Sequence, residues 1–443
     1  MNYNLTTGKI EKSLIIFSLP MILGNLIQQL YNVADTLIVG KGIGPAALSA
    51  VGSSYSLMVL LTSIILGFCM GSSVVFSHFY GANKHDDMKI SIFNAFIFII
   101  TLSVIINAIS YLLLNKFIVW LNIPIESIEM TKQYLKIIFG GMIFVTVYNF
   151  FAAIFRSIGN TLMPLIFLTV SALMNIILDI VFVIYCHMGV AGAAIATVVS
   201  QALSAVCITV YFFAKAKYIC PKNKHMHFNK SIMKKVIDNS SLTAIQQSIM
   251  NFGILMVQGL VNSFGFNASA AFAVVVKIDA FAYMPAQDFG NAFATFVAQN
   301  HGAKLHDRIK KGCVAALKIS SAFCVAASVI VFAFSKQLML LFIQPQKTDI
   351  INIGIEYLHI VGISYIGIGI LFLLYGLYRG LEKSQMSIVL TVISLGSRVA
   401  LAYLLSSISA IGMVGIWYAV PIGWALADLF GIWHFIKHQM RSL

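Results

Sequence analysis

A succession of apolar stretches, each twenty or more residues long and separated by polar turns, constrains this chain more than any other feature. Twelve occur, near residues 14–40, 54–78, 91–114, 133–155, 162–184, 190–214, 236–262, 273–299, 312–334, 354–378, 385–406 and 411–436. A helix needs roughly 20 mostly apolar residues to cross a bilayer. In lipid the backbone must also satisfy its own polar groups, which leaves helices or closed barrels. Barrel strands are short and alternate in polarity, whereas these stretches are long and apolar throughout. They predict an all-α membrane protein of twelve transmembrane helices. Composition agrees: 59% of the 443 residues are hydrophobic and 10% are charged, against about 25% charged in a soluble domain.

The net charge of +14 would suit nucleic acid if it formed one basic face, but it is distributed by topology. An even number of spans places both termini on one side. That side collects Lys9, Lys12, Lys84, Lys89, Arg156, Lys304, Arg308, Lys310, Lys311, Arg379, Lys383, Lys437, Arg441 and the lysines of the loop KAKYICPKNKHMHFNKSIMKK. The other side holds only Lys41, Lys116, Lys132, Lys136, Lys336 and Lys347. Loop Lys and Arg mark the cytoplasmic face, so both termini are expected in the cytoplasm. No nucleic-acid partner is expected. The six cysteines form no C-x-x-C pair, which gives neither a zinc site nor a redox motif. The first apolar stretch is too long for a signal-peptide core and contains Gln28, Gln29 and Asp35, so no cleavable signal is expected.

The chain is internally repeated. YGANKHDDMK (80–89) aligns with HGAKLHDRIK (301–310) at an offset of 221, and FRSIGNTLM (155–163) aligns with YRGLEKSQM (378–386) at 223. Gln28-Gln29 matches Gln246-Gln247, and Gly189 and Gly192 match Gly412 and Gly415. Each repeat holds six spans, so the two enter the membrane in the same orientation, as parallel transporter repeats do. The expected division is an N-terminal six-helix bundle (1–214), a cytoplasmic linker (215–235) long enough to let the bundles move, and a C-terminal six-helix bundle (236–443).

Ionisable groups inside spans are costly and point to function. The clearest are Asp35 in the first span and Asp179 in the fifth. Asn175 lies four residues before Asp179, on the same helix face, and Thr197 in the sixth span supplies a hydroxyl. Two carboxylates in an apolar site cannot both remain ionised without a counter-cation. The set therefore suits a proton or a hard cation such as sodium. At the equivalent positions the second repeat carries Gly253, Arg398, Ala402 and Val420, so the oxygen donors are present in one repeat only. The remaining intramembrane charges are Lys277, Asp279, Asp288, Arg398 and Asp428. Asp288 and Arg398 each lie about halfway along their spans and would either pair or line a solvated cavity.

No H-E-x-x-H, P-loop or G-x-S-x-G motif occurs. The chain is therefore not expected to be an enzyme or to carry a cofactor, and an ion gradient remains as its energy source.

Residues LYNVADTLIVGKGIGPAALSAVG, MNIILD, GVAGAAIATVVSQ and MPAQDFGNAFATFVAQNHGAK resemble the multidrug and toxic compound extrusion (MATE) family, and most of all its bacterial DinF-like and MepA-like branches. The resemblance spans essentially the whole chain. It implies a V-shaped pair of six-helix bundles that export amphipathic organic cations in exchange for H+ or Na+ across a bacterial plasma membrane. It implies a cation site at Asp35, Asn175, Asp179 and Thr197, and a helix-bending proline at Pro20. Some members instead carry a Glu in helix 7 and an Asp in helix 10. Here helix 7 has Gln246, Gln247 and Asn251, which speaks against coupling through the C-terminal bundle. The partners expected are small organic cations and lipid, around a monomer. A lipid-linked precursor flippase of the same superfamily would want a more cationic cavity and often more spans. A membrane-embedded enzyme would want a nucleophile or metal ligands that are not visible.

Overall fold

The computed structural model describes residues 3–120 and 123–439. Arg441, counted above with the basic side, lies outside them. Eleven helices among the described residues are long and apolar enough to cross a membrane. They are α1 (Ile10–Gly42), α2 (Ala46–Gly81), α3 (His85–Leu112), α4 (Ile125–Ser157), α5 (Leu162–Tyr185), α6 (Gly189–Lys215), α7 (Lys230–Asn262), α8 (Phe266–Gly302), α9 (His306–Ala333), α11 (Ser384–Ser406) and α12 (Val414–His438). The twelfth span, α10, is two helices, Thr348–Gly362 and Tyr365–Gly380, bent by 51°. The sequence marked one apolar stretch there, near residues 354–378. The break falls at Gly362-Ile363-Ser364, where the Ser328 hydroxyl on α9 donates to the Gly362 carbonyl at 2.6 Å and satisfies an acceptor that the bend frees.

The duplication is visible in the backbone. Left-handed φ angles recur at Gly44 (121°) and Gly265 (99°), Asn83 (56°) and Lys304 (59°), Gly159 (83°) and Glu382 (58°), and Gly189 (61°) and Gly412 (55°). Each pair sits at a matching position of the two repeats. A short helix follows α3 (Leu114–Trp120), and its counterpart follows α9 (Ser335–Leu340).

The chain forms two compact units, one of residues Met1–Tyr3 and Leu19–Ala244 and the other of Asn4–Ser18 and Ile245–Leu443. This differs from the expected division at 215–235. The chain passes from one unit to the other inside α1 and inside α7, and the polar segment belongs to the first unit.

Hydrogen bonding explains why that segment is not a free tether. The Lys222 N–H donates to His225 Nδ1 at 3.0 Å. The ring hydrogen is therefore on Nε2, which donates to Asp86 Oδ1 on α3 at 2.9 Å. Lys224 Nζ reaches Asp86 Oδ2 at 3.1 Å, and Asn94 Nδ2 donates to the His227 carbonyl at 3.1 Å. Asn229 then caps α7, its Oδ1 accepting the N–H groups of Ser231 and Ile232. The second unit treats the segment before α1 in the same way. Asn300 Nδ2 and Arg308 Nε donate to the Leu5 carbonyl, and the Arg308 Nη atoms donate to Thr7 and Gly8 at 2.6 and 2.8 Å. Each repeat thus holds the lead-in to the other repeat's first helix.

Within each unit the helices approach closely where one side lacks a side chain. A Cβ on Gly141 of α4 would stand 2.5 Å from Val198 of α6, and one on Gly376 of α10 would stand 2.3 Å from the Gly290 carbonyl of α8. In lipid, where apolar contact alone gives little net drive, small residues permit such packing. Arg379, expected as a loop charge, is only 5% exposed and donates to Asn291 Oδ1 at 2.8 Å. Large apolar side chains face outward, as Leu112, Val210 and Leu429 do, and in water such a surface would aggregate.

Candidate functional site

The first unit brings Asp35, Asn175, Asp179 and Thr197 together. Asn175 and Asp179 project from one face of α5, and both are buried, at 2% and 0% exposure. Immediately after Asp179 the helix widens into a π-turn over Ile180–Tyr185, an irregularity often found at functional positions. The Ser171 hydroxyl bonds the Ser200 carbonyl at 2.8 Å and registers α5 against α6. One turn further along α5, Asn175 Nδ2 faces Thr197 Oγ1 at 3.4 Å. From α1, the Asp35 carboxyl comes within hydrogen-bonding reach of Asp179.

Charge and hydrogen bonding in this group are unbalanced. Asp35 Oδ1, Asn175 Oδ1 and both Asp179 oxygens are buried, and none has a hydrogen-bond donor. Two carboxylates this close repel each other when both are ionised. A buried unsatisfied acceptor costs about 1–3 kcal/mol, and more when charged. A proton held between the carboxylates, or a desolvated cation among the oxygens, removes that cost. The arrangement therefore collects acceptors suited to a proton or a hard cation.

Three tyrosines and Gln28 complete the surroundings, and none of the three tyrosines was expected there. Tyr31 on α1 bonds Gln28 and lies within electrostatic range of Asp35, Asp179 and Tyr55. Tyr134 on α4 is buried and feels both carboxylates and Tyr31. Tyr31 precedes Asp35 by four residues, so helical periodicity alone carried that signal. Tyr134 comes from another helix and gave no local sign.

Pro20 is not part of the cluster. It lies inside α1, roughly 22 Å from Asp35 by helical rise. In the second unit, the carboxylate acting on Arg398 is Asp279, together with Tyr357 and Tyr283. Asp288, whose pairing with Arg398 was one of two alternatives, is buried at 4% exposure and has its own partners. Asp428, named among the intramembrane charges, is 7% exposed, and its Oδ1 lacks a partner. Lys277 is exposed and sits over the Phe342 ring, 6.0 Å from its centroid.

The chain is similar to known proteins along most of its length. Curated relatives include "Probable multidrug resistance protein YpnP" of Bacillus subtilis, 29% identical over 398 residues, 88% of this chain and 87% of the relative. Another is "Multidrug export protein MepA" of Staphylococcus aureus, 21% identical over 431 residues, with 96% and 94% covered. Among solved structures, a MOP superfamily transporter from Pyrococcus furiosus superposes with a TM-score of 0.93 at 21% identity, over 99% of this chain and 97% of the other. At that identity the likeness is one of fold. The MatE family profile matches twice, over residues 20–181 and again over 243–404. These two matches fall on the two repeats and cover most of the spans, and this multi-pass membrane protein belongs to the MatE family of transporters.

Proposed function

We propose that the chain is a secondary active multidrug exporter. It moves amphipathic organic cations out of the cell in exchange for H+ or Na+ bound at Asp35, Asn175, Asp179 and Thr197. The observation that carries this reading is the set of four buried oxygen atoms without donors, two of them on Asp179. In one state of the cycle a cation or proton fills that set, and in another it leaves. The names of the relatives, multidrug resistance and multidrug export, support the cargo class. The excess of Lys and Arg on one side supports cytoplasmic termini in a plasma membrane. Coupling then resides in the first unit, because the second unit lacks oxygen donors at the matching positions. Pro20, inside α1, offers a place where that helix can bend as the site fills.

The test is uptake of a fluorescent lipophilic cation into inverted membrane vesicles under an imposed pH gradient or an imposed sodium gradient. Uptake driven by one gradient and abolished by its collapse supports the reading. Uptake indifferent to both gradients refutes ion coupling.

A further inference from the structure

The segment between α6 and α7 lies where three helices end: α6 stops at Lys215, α3 begins at His85 and α7 begins at Lys230. With 28 and 27 residues, α3 and α6 each measure roughly 40 Å by helical rise, the thickness of a bilayer with its headgroups. Their ends therefore stand at headgroup level. Two residues of α3 fix the segment there. The Asp86 carboxylate holds Lys224 and His225, the latter 2% exposed. A single amide then grips the chain on both sides of Phe228: Asn94 Nδ2 donates to the His227 carbonyl at 3.1 Å, and Asn94 Oδ1 accepts from the Asn229 N–H at 3.3 Å. Phe228, between these two clamped neighbours, is 69% exposed. Tyr218 and Met226 are exposed as well.

Charge in this segment is of one sign. Residues 215–235 include seven lysines, and no Asp or Glu occurs between Asp179 and Asp238. Lys224 is paired with Asp86, and Lys235 Nζ lies over the Phe79 ring, 5.8 Å from its centroid. Lys215, Lys217, Lys222, Lys230 and Lys234 are exposed, and no ion pair involves them among the described residues. Topology calls for basic residues on the cytoplasmic side. It does not call for exposed apolar side chains set among them. Lysines interleaved with aromatic and aliphatic residues at headgroup level have the composition of an interfacial anchor.

We infer that residues 215–229, with the first turn of α7, dock on anionic phospholipid headgroups of the leaflet they face. The lysines meet the headgroup phosphates, and Met226 and Phe228 insert among the upper acyl chains. Charge selects the lipid. A zwitterionic headgroup carries its own cation beside the phosphate, whereas a headgroup of net negative charge leaves the phosphate for the lysines. Position selects the bilayer over a soluble polyanion, because the exposed apolar side chains stand at the height where lipid is present. The bonds to Asp86 and Asn94 hold this surface in one shape, so docking costs little ordering.

The inference does not use the transport reading, and its failure would leave that reading untouched. Full-length protein carrying the photo-reactive p-benzoylphenylalanine in place of Phe228 is placed in nanodiscs of equal parts phosphatidylglycerol and phosphatidylcholine with identical acyl chains. After irradiation, mass spectrometry of the peptide containing position 228 counts the adducts with each lipid. Phosphatidylglycerol adducts are expected to exceed phosphatidylcholine adducts about fivefold. The same photo-reactive residue in place of Leu112, exposed at the far end of α3, is expected to give a ratio near one. High salt screens exposed charges and should bring the ratio at position 228 close to one while lipid adducts persist. The combined variant K217Q, K222Q, K230Q and K234Q should do the same at low salt. Absence of lipid adducts at position 228 overturns the inference and would point to a soluble partner. A ratio of one at low salt with the lysines intact overturns it too, as does equal enrichment at positions 228 and 112. An enrichment that survives both high salt and the four substitutions removes the lysines from the recognition and refutes the charge argument.

Discussion

Asp179→Asn separates coupling from folding, because the structure predicts opposite effects on the two. A cation at the site sits in contact with Asp179, and a unit charge pair at 4 Å is worth about 4 kcal/mol at an effective dielectric constant of 20. Removing that charge therefore weakens cation binding by roughly a thousandfold. For the empty protein the sign reverses. The new amide can donate to Asp35 Oδ1, which has no partner in the native protein, and the repulsion between two carboxylates disappears. A hydrogen bond to a charged acceptor contributes about 1.5–3 kcal/mol, so thermal stability should hold or rise while coupling is lost. The assay pairs gradient-driven uptake in inverted vesicles with thermal unfolding of purified protein, without added substrate, at a pH where the carboxylates are ionised. Loss of transport with an unchanged or raised melting temperature supports the site. A variant that unfolds early would make Asp179 a structural residue. A variant that transports at the wild-type rate would remove it from coupling.

Other consequences follow from particular contacts. Single cysteines near Lys224 should react only from the cytoplasm and those near Asn267 only from outside; the reverse labelling pattern would overturn the orientation. Gly71→Ala should destabilise the first unit by about 1–3 kcal/mol, because its Cβ would stand 2.4 Å from the Ser240 Cα of α7, and an unchanged melting curve would count against that close approach. Asp86→Ala removes the acceptor for both His225 and Lys224, so trypsin should cut at Lys222 and Lys224 faster than in wild type, with transmembrane helices intact. Equal cleavage rates would mean that the segment is not held there.

The coupling site was legible to the extent that its chemistry is local. Asp35 and Asp179 stand out as charges in apolar stretches, and the four-residue spacing of Asn175 and Asp179 places them on one helix face. Thr197 entered the set as a hydroxyl in the sixth span and through family resemblance, since no local spacing ties it to α5. Tyr134 was invisible, because a tyrosine in a span packed with aromatic residues has no distinguishing spacing. For Arg398, periodicity located the charge near the middle of its span and left open whether Asp288 pairs with it. Asp279 and Asp288 both lie on α8, and only the course of α10, whose Tyr357 and Tyr365 bind Asp279, decides which of them is oriented toward Arg398.

Hydropathy, charge bias and self-similarity were enough to determine a membrane protein of twelve spans in two parallel repeats. The bilayer requires each span to satisfy its own backbone, and that requirement is written into every stretch of about twenty residues. Where one unit ends and the next begins was decided only by tertiary structure. The polar segment after α6 looked like a tether because its composition is that of a loop. Asp86 and Asn94 on α3 bind it, and the passage between units moves into the unbroken helix α7, as it does in α1. Those bonds join residues more than 130 positions apart, and a pairing at that range leaves no periodic trace in the chain.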